Sequence, residues 1–213
     1  MKKTGRYDAS GLLEAQFEPG SRGRVLKNLL GIKTKREMDQ IEQREQFRAI
    51  EELVEIYGQG HRFTAEDICN IHRIWLRPIY AWAGQYWQVN LTKGDFPFAA
   101  AQHIHMLMAE FEKGPLRQFT PCRFRSMNEV VKALAIVHTE LILIHPFREG
   151  NGRVARLLAN LMAAQVGPFL DFTGIIKGIK REEYFVAVRA GLDRNYSPME
   201  KVFSEVIDKT LQA

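Results

Sequence analysis

The stretch His145-Pro146-Phe147-Arg148-Glu149-Gly150-Asn151-Gly152-Arg153-Val154-Ala155-Arg156 gathers a candidate base, a carboxylate, an asparagine between two glycines, and two arginines within a dozen residues. It follows the apolar segment Leu141-Ile142-Leu143-Ile144 and precedes Leu157-Leu158-Ala159-Asn160-Leu161-Met162-Ala163-Ala164. That second segment reads as a helix, because Val154, Leu157, Leu158 and Leu161 recur at helical spacing. The loop is therefore expected at a helix N-terminus.

Each residue type has a physical reason to be there. Gly150 and Gly152 permit the positive φ angles that turn successive amides into one concavity, where an anion binds. The unpaired amides and positive dipole end of the following helix add to the same field, so phosphate is the natural guest. Arg153 and Arg156 are three residues apart and share one side of the first turns, where their planar forks suit phosphate oxygens. Glu149 would repel that phosphate. A divalent cation removes the conflict, since Mg²⁺ is commonly held by one or two carboxylates with substrate phosphates and waters. His145 precedes the loop, and an imidazole, with an ordinary pKa near ~6.5, accepts a proton at neutral pH.

The run resembles the signature of the Fic family, HPFx(D/E)GNGRxxR, with every specified position filled. The resemblance implies a mainly α Fic fold, a helical bundle with a short β-hairpin flap beside the active-site loop. It implies Mg²⁺-dependent transfer of AMP from ATP to a Ser, Thr or Tyr hydroxyl of a target protein. By it His145 is the general base, Glu149 the Mg²⁺ ligand, and Gly150, Asn151 and Gly152 the phosphate cradle. Arg153 and Arg156 are the β/γ-phosphate clamps, and a buried Phe147 anchors the loop. The segment Trp82-Ala83-Gly84-Gln85-Tyr86-Trp87-Gln88-Val89-Asn90-Leu91-Thr92-Lys93-Gly94-Asp95-Phe96-Pro97-Phe98 is similar to the family's flap, near 84–98, which holds the target in extended form. Val89, Asn90, Leu91, Thr92, Lys93, Gly94, Asp95 and Phe96 are its expected target-binding residues. On composition alone, 86–92 reads as a strand followed by a Gly-Asp turn, whose open edge is able to pair with a peptide. Pro19-Gly20-Ser21 and 25–32 resemble the N-terminal segment of compact bacterial members, and 181–185 and 196–199 fall where the family has its last two helices.

Many family members are held inactive by a helix of pattern (S/T)xxxE(G/N), whose glutamate pairs with the second signature arginine, here Arg156. Ser10 and Glu14 supply part of that pattern, but Ala15 stands where Gly or Asn is needed and Glu-Pro-Gly follows closely. The expectation is a toxin-like protein restrained by a separate antitoxin bearing the inhibitory glutamate. Kinase-like Doc relatives carry lysine in place of the second loop glycine, whereas Gly152 here matches the AMP-transferring pattern. Transfer of another phosphate-containing group, removal of AMP by the same site, and a non-catalytic binding or regulatory role are the rival readings.

Composition fits an enzyme of this kind. With 213 residues and 46% hydrophobic content, the chain has material for one core, and a single Fic domain over 1–213 is expected, with 1–33 as N-terminal segment and 34–213 as helical core. No apolar run approaches a membrane span, and Met-Lys-Lys-Thr leads into polar sequence, so a cytoplasmic location without membrane partner is expected, secretion into a host cell staying open. Cys69 and Cys122 are the only cysteines and read as reduced structural thiols. The net charge of +5 is densest at Arg22, Arg24, Lys27, Lys33, Lys35 and Arg36, which read as solvated positions and give little ground for a nucleic-acid partner.

Helices are predicted at 34–57, with Met38, Ile41, Phe47, Ile50, Leu53 and Ile56 inward, after a Thr64 cap, at 101–111, at 127–144, and from about 181 and 199. His138 reads as a hydrogen-bonded structural histidine, and His103 and His105 lack the partners of a metal site. Trp75, Tyr80, Trp82, Tyr86 and Trp87 read mostly as packing around the flap.

Overall fold

The computed structural model describes residues 11–88, 90, 92–93, 96–167, 169–173 and 179–212. Helix α1, Lys35–Ile56, opens at Thr34, whose hydroxyl accepts from the Glu37 amide at 3.3 Å. Its inward face matches the apolar pattern at Met38 and Leu53, with Ile41 and Ile50 partly buried against the core, and departs from it at the other positions. Met38, Glu42, Glu45, Ala49 and Leu53 are buried, whereas Phe47 is 63% exposed and Ile56 also faces outward. The buried set forms one stripe at three- and four-residue spacing, and Phe47 lies on the opposite side of the helix. The two acids enter the interior with partners. Glu45 accepts from Arg44 and Arg48, and Arg48 foremost holds its carboxyl below the usual carboxylate range.

Helix α2, Ala65–Leu76, begins with a reciprocal cap in which Thr64 accepts from the Asp67 amide and Asp67 accepts from the Thr64 amide. It buries Ile68, Ile71, His72, Ile74 and Trp75 and packs along α1, where Arg48 reaches the Ile74 carbonyl at 2.5 Å.

Among the described residues, the strand expected over 86–92 is limited to Thr92. Residues 85–88 carry no strand pairing, and the Trp87 amide instead donates to the Pro146 carbonyl at 2.9 Å. That backbone is committed to the signature loop, which removes it from any ladder. Among the described residues of this segment, pairing is confined to β1, Thr92–Lys93, and β2, Phe96–Pro97, antiparallel with Thr92 opposite Pro97 and Lys93 opposite Phe96. Val89, Leu91, Gly94 and Asp95 lie outside the described residues.

A 3₁₀ turn at Ala101–His103 leads into α3, Ile104–Phe111, which widens into a π turn at Glu112–Leu116 around Pro115 and closes with α4, Arg117–Phe119. Helix α5, Met127–Ile144, starts from the reciprocal cap of Ser126 and Glu129 and packs against α3, α6 (Asn151–Ala163), α7 (Ile179–Ala190) and α8 (Ser197–Leu211). Its buried residues, from Val130 to Ile144, occupy most of its circumference, as a helix enclosed by others requires. Gly191 lies where a Cβ would stand 2.3 Å from the Thr139 methyl, so only glycine lets the α7–α8 connection pass this close to α5. No helix among the described residues is long and apolar enough to cross a membrane. Cys69 and Cys122 are free and buried, and burial raises both thiols, Cys122 to about 11.

Candidate active site

The signature loop is the link between α5 and α6. His145 ends α5 in the left-handed region at φ 54°, ψ 56°, a strained backbone for a non-glycine residue and one that recurs at functional positions. Its Nδ1 lies 3.2 Å from the Ile142 carbonyl. A carbonyl only accepts, so Nδ1 carries the proton of the neutral ring and Nε2 is the accepting nitrogen. The ring stacks on Phe98, centroids 3.5 Å apart at 17°.

Asn151 fixes the loop's shape. It is 3% exposed, its Oδ1 accepts from the Phe147 amide at 2.9 Å, and its Nδ2 donates to the Phe147 carbonyl at 2.7 Å. Only its backbone is thus left to a phosphate cradle, the side chain being spent on the loop. Phe147 is fully buried and stacks on His72 at 4.0 Å and 14°. His72 in turn accepts from the Gly84 amide on Nδ1 at 2.7 Å, which leaves Nε2–H to donate to the Glu149 carbonyl at 3.2 Å. Burial above all lowers its pKa to about 3, so the ring stays neutral and keeps that tautomer.

Gly150 begins α6 at φ 83°, and a Cβ there would stand 2.7 Å from the Trp75 ring. Glycine is required on both counts. The first amides of α6 have no intrahelical carbonyl to reach, while those of Arg153 and Val154 return to Gly150.

His145, Glu149, Gly150, Asn151, Gly152, Arg153 and Arg156 line one cavity of about 1160 Å³. Phe147, the sequence's anchor residue, lies behind it. Arg153 is engaged on both sides, donating to Glu42 at 2.6 Å and Glu149 at 3.2 Å, with its guanidinium 4.5 Å from the Trp75 ring. Arg156 has no ion pair with a carboxylate among the described residues. Burial depresses its pKa, Tyr184 opposes that shift and Arg153 adds to it. His138 Nε2 and the Tyr184 hydroxyl are hydrogen-bonded at 2.7 Å, and His138, neutral because burial first and Arg156 second lower its pKa to about 3, closes this wall. His138 is thus the hydrogen-bonded interior residue the sequence suggested.

Arg148 extends from the loop over the Trp87 ring at 5.1 Å and donates to the Glu14 carbonyl at 3.2 Å. Leu13–Ala15 is a single 3₁₀ turn, and Ser10 lies outside the described residues. On the flap side Asn90 accepts from the Ala101 amide at 2.9 Å. Sequence reasoning missed Glu42, His72, Tyr80 and Phe98 as contributors. An acid at position 42, four residues after Met38 and seven before Ala49, was the available signal for the first.

The bundle and the loop between α5 and α6 define the class: a mainly α protein of the Fic fold. Residues 62–163 match the model of the Fic/DOC family, so this part of the chain carries a Fic domain. Over 144 residues it is 29% identical to an Escherichia coli (strain K12) protein named "Probable protein adenylyltransferase Fic", covering 65% of this chain and 67% of that one. It is 28% identical over 148 residues to protein adenylyltransferase VbhT of Bartonella schoenbuchensis, covering 70% of this chain and 30% of that relative, so it spans under a third of VbhT. The N-terminal Fic domain of a VirB-translocated Bep effector from Bartonella quintana, solved with bound ADP, superposes with a TM-score of 0.68 at 25% identity, over 85% of this chain and 89% of that one.

Proposed function

We propose that this chain transfers AMP from ATP to a Ser, Thr or Tyr hydroxyl of a target protein. The observation that carries the reading is the meeting, in one cavity, of the left-handed His145, the amide turn of α6 and the Arg156 guanidinium, which has no carboxylate partner among the described residues. The names of the Escherichia coli and Bartonella relatives, and the ADP bound to the neighbouring fold, support it.

His145 Nε2 takes the proton from the attacking hydroxyl, its other nitrogen being held by Ile142. The hydroxyl oxygen bonds to the α-phosphorus, the bond to the β-phosphate bridging oxygen breaks, and pyrophosphate leaves. The first amides of α6 bind the phosphoryl oxygens, and Arg156 binds the distal phosphates with its planar fork. Positioning and charge neutralisation supply most of the rate enhancement.

Mg²⁺ fits the donor set as a substrate-borne ion. No group of three or more His, Cys, Asp or Glu side chains among the described residues is arranged to hold a metal without the nucleotide. Of the carboxylates that line the cavity, Asp39, Glu149 and Glu182, Glu149 is the one in the signature loop, and a single carboxylate suits an ion that keeps waters and phosphates as its other ligands. Bound there, the ion would supply charge neutralisation of the triphosphate.

The target docks on the hairpin around 92–97 by backbone pairing, and a separate antitoxin places a glutamate near Arg156. The protein acts as one domain in the cytoplasm of its own cell or of a host. Parallel incubations with α-³²P- and γ-³²P-ATP test the reading: label is expected on protein only from the α-phosphate, and γ-label on protein would replace AMP transfer with phosphate transfer.

A further inference from the structure

Two carboxylates share the Arg153 guanidinium. Glu42 reaches it from α1 with a side chain only 2% exposed, and Glu149 reaches it from the loop with a side chain 45% exposed. Glu42 is fixed on every side. Its Oε2 accepts from Arg153 Nη1 at 2.6 Å, its Oε1 from the Tyr80 hydroxyl at 2.8 Å, and its backbone carbonyl from Trp75 Nε1 at 2.9 Å. The same Trp75 ring packs against the Arg153 guanidinium. Burial first and Glu42 second push the Tyr80 hydroxyl far above its ordinary pKa, so it remains a donor. By contrast, among the described residues Glu149 uses only Oε1, which accepts from Arg153 Nη2 at 3.2 Å and from the Gly150 amide at 2.9 Å.

The trio has one net negative charge. Its buried end cannot exchange partners, so that charge is expressed at Glu149, which lines the cavity. Without Glu42, Arg153 and Glu149 would form a closed neutral pair with little attraction left for a cation.

We propose that Glu42 is a positioning residue for the nucleotide-borne divalent cation: it satisfies Arg153 from behind and so leaves the Glu149 carboxylate available to the metal. This rests on the nucleotide-site reading above and reassigns Arg153. Arg153 braces Glu149, and clamping of the distal phosphates falls to Arg156.

The test uses the full chain, Mn²⁺ as spectroscopic probe and a non-hydrolysable ATP analogue, with free Mn²⁺ counted by electron paramagnetic resonance. Glu42→Gln keeps the side chain's size and removes its charge. It is expected to weaken Mn²⁺ uptake by about tenfold, given a partly buried ion pair, while metal-free binding of the analogue in chelator stays within about twofold. The double variant Glu42→Gln/Arg153→Met removes the opposing charges together and is expected to regain uptake near wild type; it also serves if the single variant does not fold, because neutralising both members of a buried pair is tolerated far better than removing one. A merely structural role for Glu42 would lower metal-dependent and metal-free binding alike, with no recovery in the double variant. Equal Mn²⁺ uptake by folded Glu42→Gln and wild type, or no recovery in the double variant, overturns the proposal. Wild type that binds neither the analogue nor Mn²⁺ with it overturns the nucleotide-site reading instead.

Discussion

At the scale of single residues, the loop is held by contacts that can be removed one at a time. Asn151 satisfies the amide and carbonyl of buried Phe147. Asn151→Ala strands both, and at about 1–3 kcal/mol for each orphaned buried group the expected loss is roughly 2–6 kcal/mol in urea unfolding. Gly150→Ala combines a left-handed backbone with a clash against Trp75, and should cost a similar ~2–4 kcal/mol. Wild-type stability in the Gly150→Ala variant would contradict this geometry. Arg156→Lys keeps the charge but loses the planar fork; ATP affinity by calorimetry should fall about tenfold, and an unchanged affinity would remove Arg156 from the phosphate site. The residues of the loop were legible because their chemistry is packed into consecutive positions. Glu42 and His72 were not, since they reach the loop from 111 and 77 residues away and carry no local pattern, and Tyr80 bears on the loop through its hydrogen bond to Glu42.

At the scale of elements, helix existence was legible and helix orientation only in part. The caps at Thr34, Thr64 and Ser126 mark where three helices begin, because a hydroxyl followed three residues later by an acid satisfies the first amides. Ser126→Ala is expected to cost about 1 kcal/mol, read as a lowered Tm. The inward face of α1 is only partly legible, because hydrophobicity alone marks Met38 and Leu53 but not the two buried acids, whose partners include residues on other elements. The corrected face predicts that Phe47→Ser changes stability by less than about 0.5 kcal/mol, whereas Met38→Ala costs about 2–5 kcal/mol. A large loss at Phe47 in unfolding experiments would restore the original face. The strand over 86–92 failed for a related reason: its composition favours a strand, but the Trp87 amide is committed to the Pro146 carbonyl.

At the scale of the whole molecule, two interior histidines make stability depend on pH. His72 and His138 have pKa values near 3 in the fold, through burial first, against about 6.5 when unfolded. Between those values the unfolded chain takes up protons that the folded one refuses, so stability is full above about pH 6.5 and falls as pH drops toward 3. Each histidine contributes a slope approaching ~1.4 kcal/mol per pH unit. Urea midpoints measured from pH 7 to pH 4.5 should therefore decline, and His138→Gln should make the decline shallower; a flat profile would contradict the buried neutral assignment. The overall architecture was legible through the signature loop, because a helix before it and a helix after it fix the centre of the bundle, while the packing of α7 and α8 on α5 depended on contacts distant in sequence. The central claim is that this cavity moves AMP from ATP to protein with His145 as base, and intact-protein mass spectrometry of a lysate incubated with ATP and either wild type or His145→Ala tests it most directly. Proteins heavier by one AMP are expected with wild type and none with the variant, which still binds ATP. Equal AMP adducts from both proteins would contradict it.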